Sequence, residues 1–216
     1  MNTDRLIDAL SANLEPAHRG QFGKTLVLAM VTGGAAALGL MLATVGPRPD
    51  LGSTAHLEWL ALKLVFALSV IGAGAPLLLR STRPGLENAT NWAAVFVPFF
   101  AAIAVAIATL PLVSPQAWRG MLLGARTVSS ARCFICIPFF AAIPFSALIC
   151  ALRKGAPTRL ELCGAIAGIV AGGFGAAAYG LSCTSDAIPF IAIWYSTAIM
   201  LCGVIGAQLG PRLLRW

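Results

Sequence analysis

The stretch CFICIPFFAAIPFSALICAL, residues 133–152, runs through RKGAPTR, 153–159, into LELCGAIAGIVAGGFGAAAYGL, 160–181. Both apolar runs reach the roughly 20 residues that an α-helix needs to cross the hydrocarbon of a bilayer. Glu161, at the start of the second, is the only charge in either. A connection this short makes the two helices antiparallel neighbours, so the pair reads as a transmembrane hairpin with a basic turn.

Runs of the same kind cover 25–45, 59–79, 92–113 and 188–209, with Lys63 the only charge inside them. The chain is 58% hydrophobic and 11% charged, whereas a soluble domain carries about 25% charged residues. The expected fold is therefore all-α, a polytopic integral membrane protein. Its six transmembrane helices (25–45, 59–79, 92–113, 133–152, 160–181 and 188–209) form one membrane domain, 25–216, after a head, 1–24. The first run exceeds the about 7–15 apolar residues of a cleavable signal sequence and ends in Val45-Gly46-Pro47, so it is expected to be retained as a span.

Six spans put both ends in one compartment. Arg5, Arg19, Lys24, Arg80, Arg83, Arg153, Lys154, Arg159, Arg212 and Arg215 fall on that side. Arg48, Arg119, Arg126 and Arg132 fall on the other, with Lys63 one turn inside the second span and able to snorkel outward. The positive-inside rule then makes both termini cytoplasmic. The formal net charge of +7 is scattered at span ends without a stripe or interleaved aromatics, so direct nucleic-acid contact is not expected and membrane lipid is the expected surrounding.

Coupled transport needs carboxylates or histidines inside the membrane to carry the proton or ion. No Asp, Glu or His lies in a span interior, and Glu161 sits where a helix dipole favours negative charge. His18 and His56 lie outside the spans, which leaves no pair for a buried haem and no HExxH motif, and Gly180-Leu181-Ser182 lacks the serine-hydrolase pattern. No enzyme is expected. Gly164, Gly168 and Gly172 recur every four residues in the fifth span and predict close helix packing. Pro76, Pro98, Pro138 and Pro144 are expected to kink their helices.

The six cysteines sort by depth. Positions equidistant from the 153–159 turn share a level in the hairpin, which puts Cys133 and Cys183 together at the outer boundary, one on each arm. They are candidates for a disulfide, which an oxidising periplasm permits, or for a shared metal ion. Cys136, one turn deeper, could add a third thiol, and Asp186 and His56 are further candidate ligands on that side, a set suited to zinc or another soft metal. Cys150, Cys163 and Cys202 read as apolar fillers.

In the head, Asn2 or Thr3 can cap a helix with Asp4 in its first turn, and Leu6, Ile7, Leu10 and Leu14 form an apolar stripe that Pro16 ends. So short a helix is marginal alone in water and gains stability by laying the stripe on something. Asp4, Arg5, Asp8 and Glu15 make a mixed, slightly acidic polar face, which favours a protein groove over a lipid surface.

The chain resembles the NrsF-type membrane anti-sigma factors nearly end to end. The resemblance rests on Thr3-Asp4-Arg5-Leu6-Ile7-Asp8-Ala9-Leu10, Cys133, Leu152-Arg153-Lys154-Gly155-Ala156-Pro157-Thr158 and the glycine-rich fifth span. It continues through Cys183, Asp186, Pro189-Phe190, Trp194-Tyr195 and Gly210-Pro211-Arg212-Leu213-Leu214-Arg215-Trp216. It implies a bacterial inner-membrane protein whose cytoplasmic head, through Thr3, Asp4, Leu6, Ile7, Leu10 and Leu14, holds an extracytoplasmic-function sigma factor. It also implies that Cys133 and Cys183 receive an oxidative or heavy-metal stress signal from the periplasmic side. Ser185 departs from the acidic residue usual there, which counts against a metal-ligand role for that loop. The rival from another class is a membrane thiol-disulfide oxidoreductase using Cys133, Cys136 and Cys183, and a third reading is a channel or scaffold.

Overall fold

The computed structural model describes residues 21–49, 54–81, 92–112, 118–123, 127–155, 157 and 159–215. The head assignments at Thr3, Asp4, Leu6, Ile7, Leu10 and Leu14 lie outside them. Among the described residues all regular structure is helical: α1 Gln21–Thr44, α2 Thr54–Ser81, α3 Val97–Thr109, α4 Trp118–Leu123, α5 Thr127–Leu152, α6 Leu160–Gly180 and α7 Ile188–Leu213. Six helical segments, the third counted from Trp92, are long and apolar enough to cross a membrane, as the sequence predicts. Val27, Leu28 and Val31 on α1 and Val97, Phe100 and Ile107 on α3 are exposed. Such an apolar exterior suits lipid and would be a liability in water.

Two span boundaries differ from expectation. The third span begins with a 3₁₀ turn, Trp92–Phe96, and its α-helix stops at Thr109 before Leu110–Leu112 tightens to 3₁₀. Pro98 occupies the first turn of α3, where its missing N–H costs nothing, so it starts that helix and does not kink it. The last span extends to Leu213 and contains a π-helical turn, Ile191–Tyr195. Between α3 and α5, the short helix α4 is an element the hydropathy pattern does not reveal.

α6 is the axis of the bundle: 78% of its apolar window is buried within the protein, against 17% for the third span. Its glycines explain how so many helices reach it. A Cβ on Gly164 would meet the Gly206 carbonyl and come within 2.7 Å of the Gly210 Cα, and one on Gly168 would lie 2.8 Å from the Cys202 carbonyl carbon. Gly172 faces the Cys202 Cβ and the Ile199 Cα, both at 3.2 Å, so the four-residue repeat is the α7-facing stripe. Gly173 turns to Ile71 of α2, and Gly175 to the Ile137 and Ala141 backbone of α5. With no hydrophobic force to drive helices together in lipid, backbone proximity and dispersion supply the packing energy. On α1, Gly33 admits Pro144 of α5 and Gly34 admits the Phe174 ring of α6.

Candidate thiol site

At one end of the bundle α5 carries Cys133 inward, fully buried. α6 ends at Gly180, and the chain is tied down as it leaves: the Ser182 and Cys183 N–H groups donate to the Tyr179 carbonyl at 2.9 and 3.1 Å. That holds Cys183, 4% exposed, directly over α5, and the two Sγ atoms are 3.9 Å apart. The two thiols that the depth argument pairs are thus brought into contact.

The loop carrying Cys183 rests on buried charge. Lys63 of α2, 1% exposed, donates from Nζ to the Cys183 carbonyl and to Asp186 Oδ1, each at 2.9 Å. Arg48 Nη1 donates to both Asp186 oxygens at 3.1 and 3.0 Å and to the Cys183 carbonyl at 3.4 Å. Burying such charges is favourable only when each is paired and hydrogen-bonded, and Asp186 serves both cations at once. The same loop grips the end of α1: the Arg48 N–H donates to the Leu181 carbonyl at 3.1 Å, and Ser182 Oγ donates to the Gly46 carbonyl at 2.8 Å. Gly46 adopts φ +73°, the left-handed conformation that turns the chain off α1.

Electrostatics separate the two sulfurs. The Cys133 thiol hydrogen-bonds Cys183 and, with the Lys63 ammonium, outweighs burial to hold the Cys183 thiol below its ordinary range. Burial alone would raise Asp186, but the Lys63 and Arg48 contacts prevail and keep its carboxyl below the usual value. A thiol so placed is nucleophilic at lower pH than a free cysteine, provided a reagent reaches it.

Several sequence-predicted roles change. Lys63 does reach from its span to the loop at that end, but its ammonium is buried there against a carboxylate and a carbonyl and does not meet water. Asp186, a candidate metal ligand, is engaged by two cations, and the side chain of His56 lies outside those described. No group of three or more His, Cys, Asp or Glu side chains among the described residues is arranged to hold a metal ion. Cys136 is partly exposed and lines the same cleft as Cys183. At the other end, Cys150 is exposed, while Cys163 and Cys202 are buried fillers. Arg48 and Lys63 were readable only as topology markers, although a cation one turn inside a span is a recognised signal of function.

Six helices long and apolar enough to cross a membrane, closed at one end over two buried thiols on an ion-pair seat, define an all-helical, membrane-compatible bundle with a thiol pair. Comparison makes the class specific: the profile of the NrsF family, described as "Negative regulator of sigma F", matches residues 10–216. The chain is 35% identical to the anti-sigma-F factor NrsF of Caulobacter vibrioides and 32% identical to a probable anti-sigma-F factor NrsF of Azospira oryzae, over the whole of both chains in each case. This protein belongs to the NrsF family. No solved structure matches it.

Proposed function

We propose that this chain is a multi-pass inner-membrane anti-sigma factor, with both termini cytoplasmic, whose head sequesters an extracytoplasmic-function sigma factor. It releases that factor when Cys133 and Cys183, facing the periplasm, are oxidised or bridged by a soft metal. Family membership and the relatives' names support the sigma-binding half. The observation that carries the sensing half is the 3.9 Å contact between two buried thiols, one in a rigid helix and one in a loop.

A disulfide requires the sulfurs to close to about 2.05 Å, and the loop is the partner with freedom to move. Its Cys183 carbonyl accepts from Arg48 and Lys63 and its Ser182 hydroxyl donates to the Gly46 carbonyl, so drawing Cys183 toward α5 disturbs the end of α1. α1 follows the head in the chain, so a displacement of α1 is the path this reading assigns from thiol to head. Shifting the head from almost wholly bound to almost wholly free needs about 5.5 kcal/mol of differential binding, within the scale of a covalent bridge or metal bond. The role is regulatory and not enzymatic. The test is sigma retention by the full-length chain reconstituted in nanodiscs, reduced against oxidised, in the wild type and in the Cys133→Ser, Cys183→Ser double variant. Retention in all four states would refute the sensor assignment.

A further inference from the structure

Beside the thiol pair lies a cleft of about 470 Å³, lined by Arg132, Cys136, Ser182, Cys183, Thr184 and Ser185 among others. Three of its features bear on chemistry. Its volume falls within the about 300–1,000 Å³ of small-molecule sites, far more than a peroxide or a single ion would fill. Its wall mixes polar and apolar surface and carries the exposed residue Arg132. Ser185, which also lines it, is 4% exposed and its Oγ has no hydrogen-bond partner among the described residues, which is rare for a buried hydroxyl. The thiols are also unequal before this cleft: Cys183 lines it, while Cys133 is fully buried and stands behind, 3.9 Å from Cys183.

We infer that this cleft binds a small carboxylate-bearing disulfide, that Cys183 is the thiol it reacts with, and that Cys133 is the resolving thiol. In the first step the Cys183 thiol gives its proton to solvent and its sulfur attacks one sulfur of the bound disulfide RSSR. The S–S bond breaks, a mixed disulfide forms on Cys183, and RS⁻ leaves to be protonated. In the second, Cys133 loses its proton and attacks Cys183 Sγ, forming the Cys133–Cys183 disulfide and expelling the second RS⁻. Two protein thiols are oxidised and one RSSR is reduced to two RSH, with no further oxidant. Arg132 orients the carboxylates.

This proposal rests on the reading of Cys133 and Cys183 as the signal-receiving pair, but its test needs no sigma factor. The reduced full-length protein in nanodiscs is treated with glutathione disulfide, with cystamine, which is cationic, or with 2-hydroxyethyl disulfide, which is neutral, and the adducts are mapped by mass spectrometry. Cys133→Ser is expected to accumulate a glutathione adduct on Cys183, and Cys183→Ser to leave Cys133 unmodified; wild-type protein sampled at early times reports the same order without a substitution in the core. Arg132→Glu is expected to slow glutathione disulfide about three- to fivefold, the scale of an exposed charge contact, and to speed cystamine. First modification at Cys133 or Cys136, or a reagent order unchanged by Arg132→Glu, overturns the proposal. Adducts formed as expected while sigma stays bound would uphold the cleft assignment and sink the signalling reading.

Discussion

The Lys63 ammonium donates a 2.9 Å hydrogen bond to the backbone carbonyl of Cys183. A cation carried by the second span thus holds the backbone of a thiol residue in the loop before the last span. Whatever moves that sulfur must strain or break a buried charge-assisted bond, and such bonds are stronger than neutral ones.

Removing the shared anion should expose how much the seat contributes. Asp186→Asn leaves Lys63, 1% exposed, and Arg48 with a neutral partner, and breaking a buried pair from one side costs about 3 kcal/mol or more. The expected outcome is a lower thermal midpoint in detergent together with faster alkylation of Cys133 as the loop opens. Lys63→Met, which removes a charge and fills similar volume, should be less costly because Asp186 keeps Arg48.

The pH dependence follows from two lowered values. Cys183 titrates below the ordinary thiol range because of its hydrogen bond with Cys133 and the nearby Lys63, so its iodoacetamide alkylation should persist at pH values where a free cysteine is unreactive, and fall as pH drops through its own pKa. Cys133→Ser and Lys63→Met should each move that profile to higher pH. For Asp186 the folded carboxyl lies below its unfolded value. Its stabilisation is complete above the unfolded pKa and is lost as pH falls through the folded one, so acid titration of the thermal midpoint should show the loss below the usual carboxylate range.

Helix contact between α6 and α7 is set by glycine. Gly168→Leu would drive a side chain into the Cys202 carbonyl region of α7, and overpacking of this sort costs about 1–3 kcal/mol or more. Gly39→Leu, at a position with nothing within 4 Å of an added Cβ, should be near neutral. Comparing thermal midpoints of the two variants checks the assignment, with a large loss expected only at 168.

Cross-linking chemistry should be selective. A mild oxidant is expected to convert Cys133 and Cys183 to a single intramolecular disulfide, detected as a shifted peptide, while Cys150→Ser, Cys163→Ser and Cys202→Ser variants behave as wild type, since those residues lie elsewhere in the bundle. A bridge involving any of the latter three would contradict the arrangement.

The fold was largely legible because hydrophobic length is a one-dimensional signal, and each of the six runs carries it independently. The level shared by Cys133 and Cys183 was legible too, since the short 153–159 turn makes depth a matter of counting. The seat was not. Arg48 and Lys63 meet Asp186 across separations of 138 and 123 residues, and no local periodicity reports such a meeting. Pro98 was misread as a kink because proline within an apolar run looks the same at a helix's first turn as at its middle, and only the 3₁₀ start at Trp92–Phe96 distinguishes them.

The central claim is that thiol chemistry at positions 133 and 183 frees a sigma factor held by the head. Binding of the cognate sigma factor to the full-length chain in nanodiscs, followed by fluorescence anisotropy while the outer thiols are oxidised and then reduced again, tests it most directly. The account predicts release on oxidation, recapture on reduction, and constant binding in the Cys133→Ser, Cys183→Ser variant. Binding unaffected by the Cys133–Cys183 disulfide, or a double variant that still releases its partner, would contradict it.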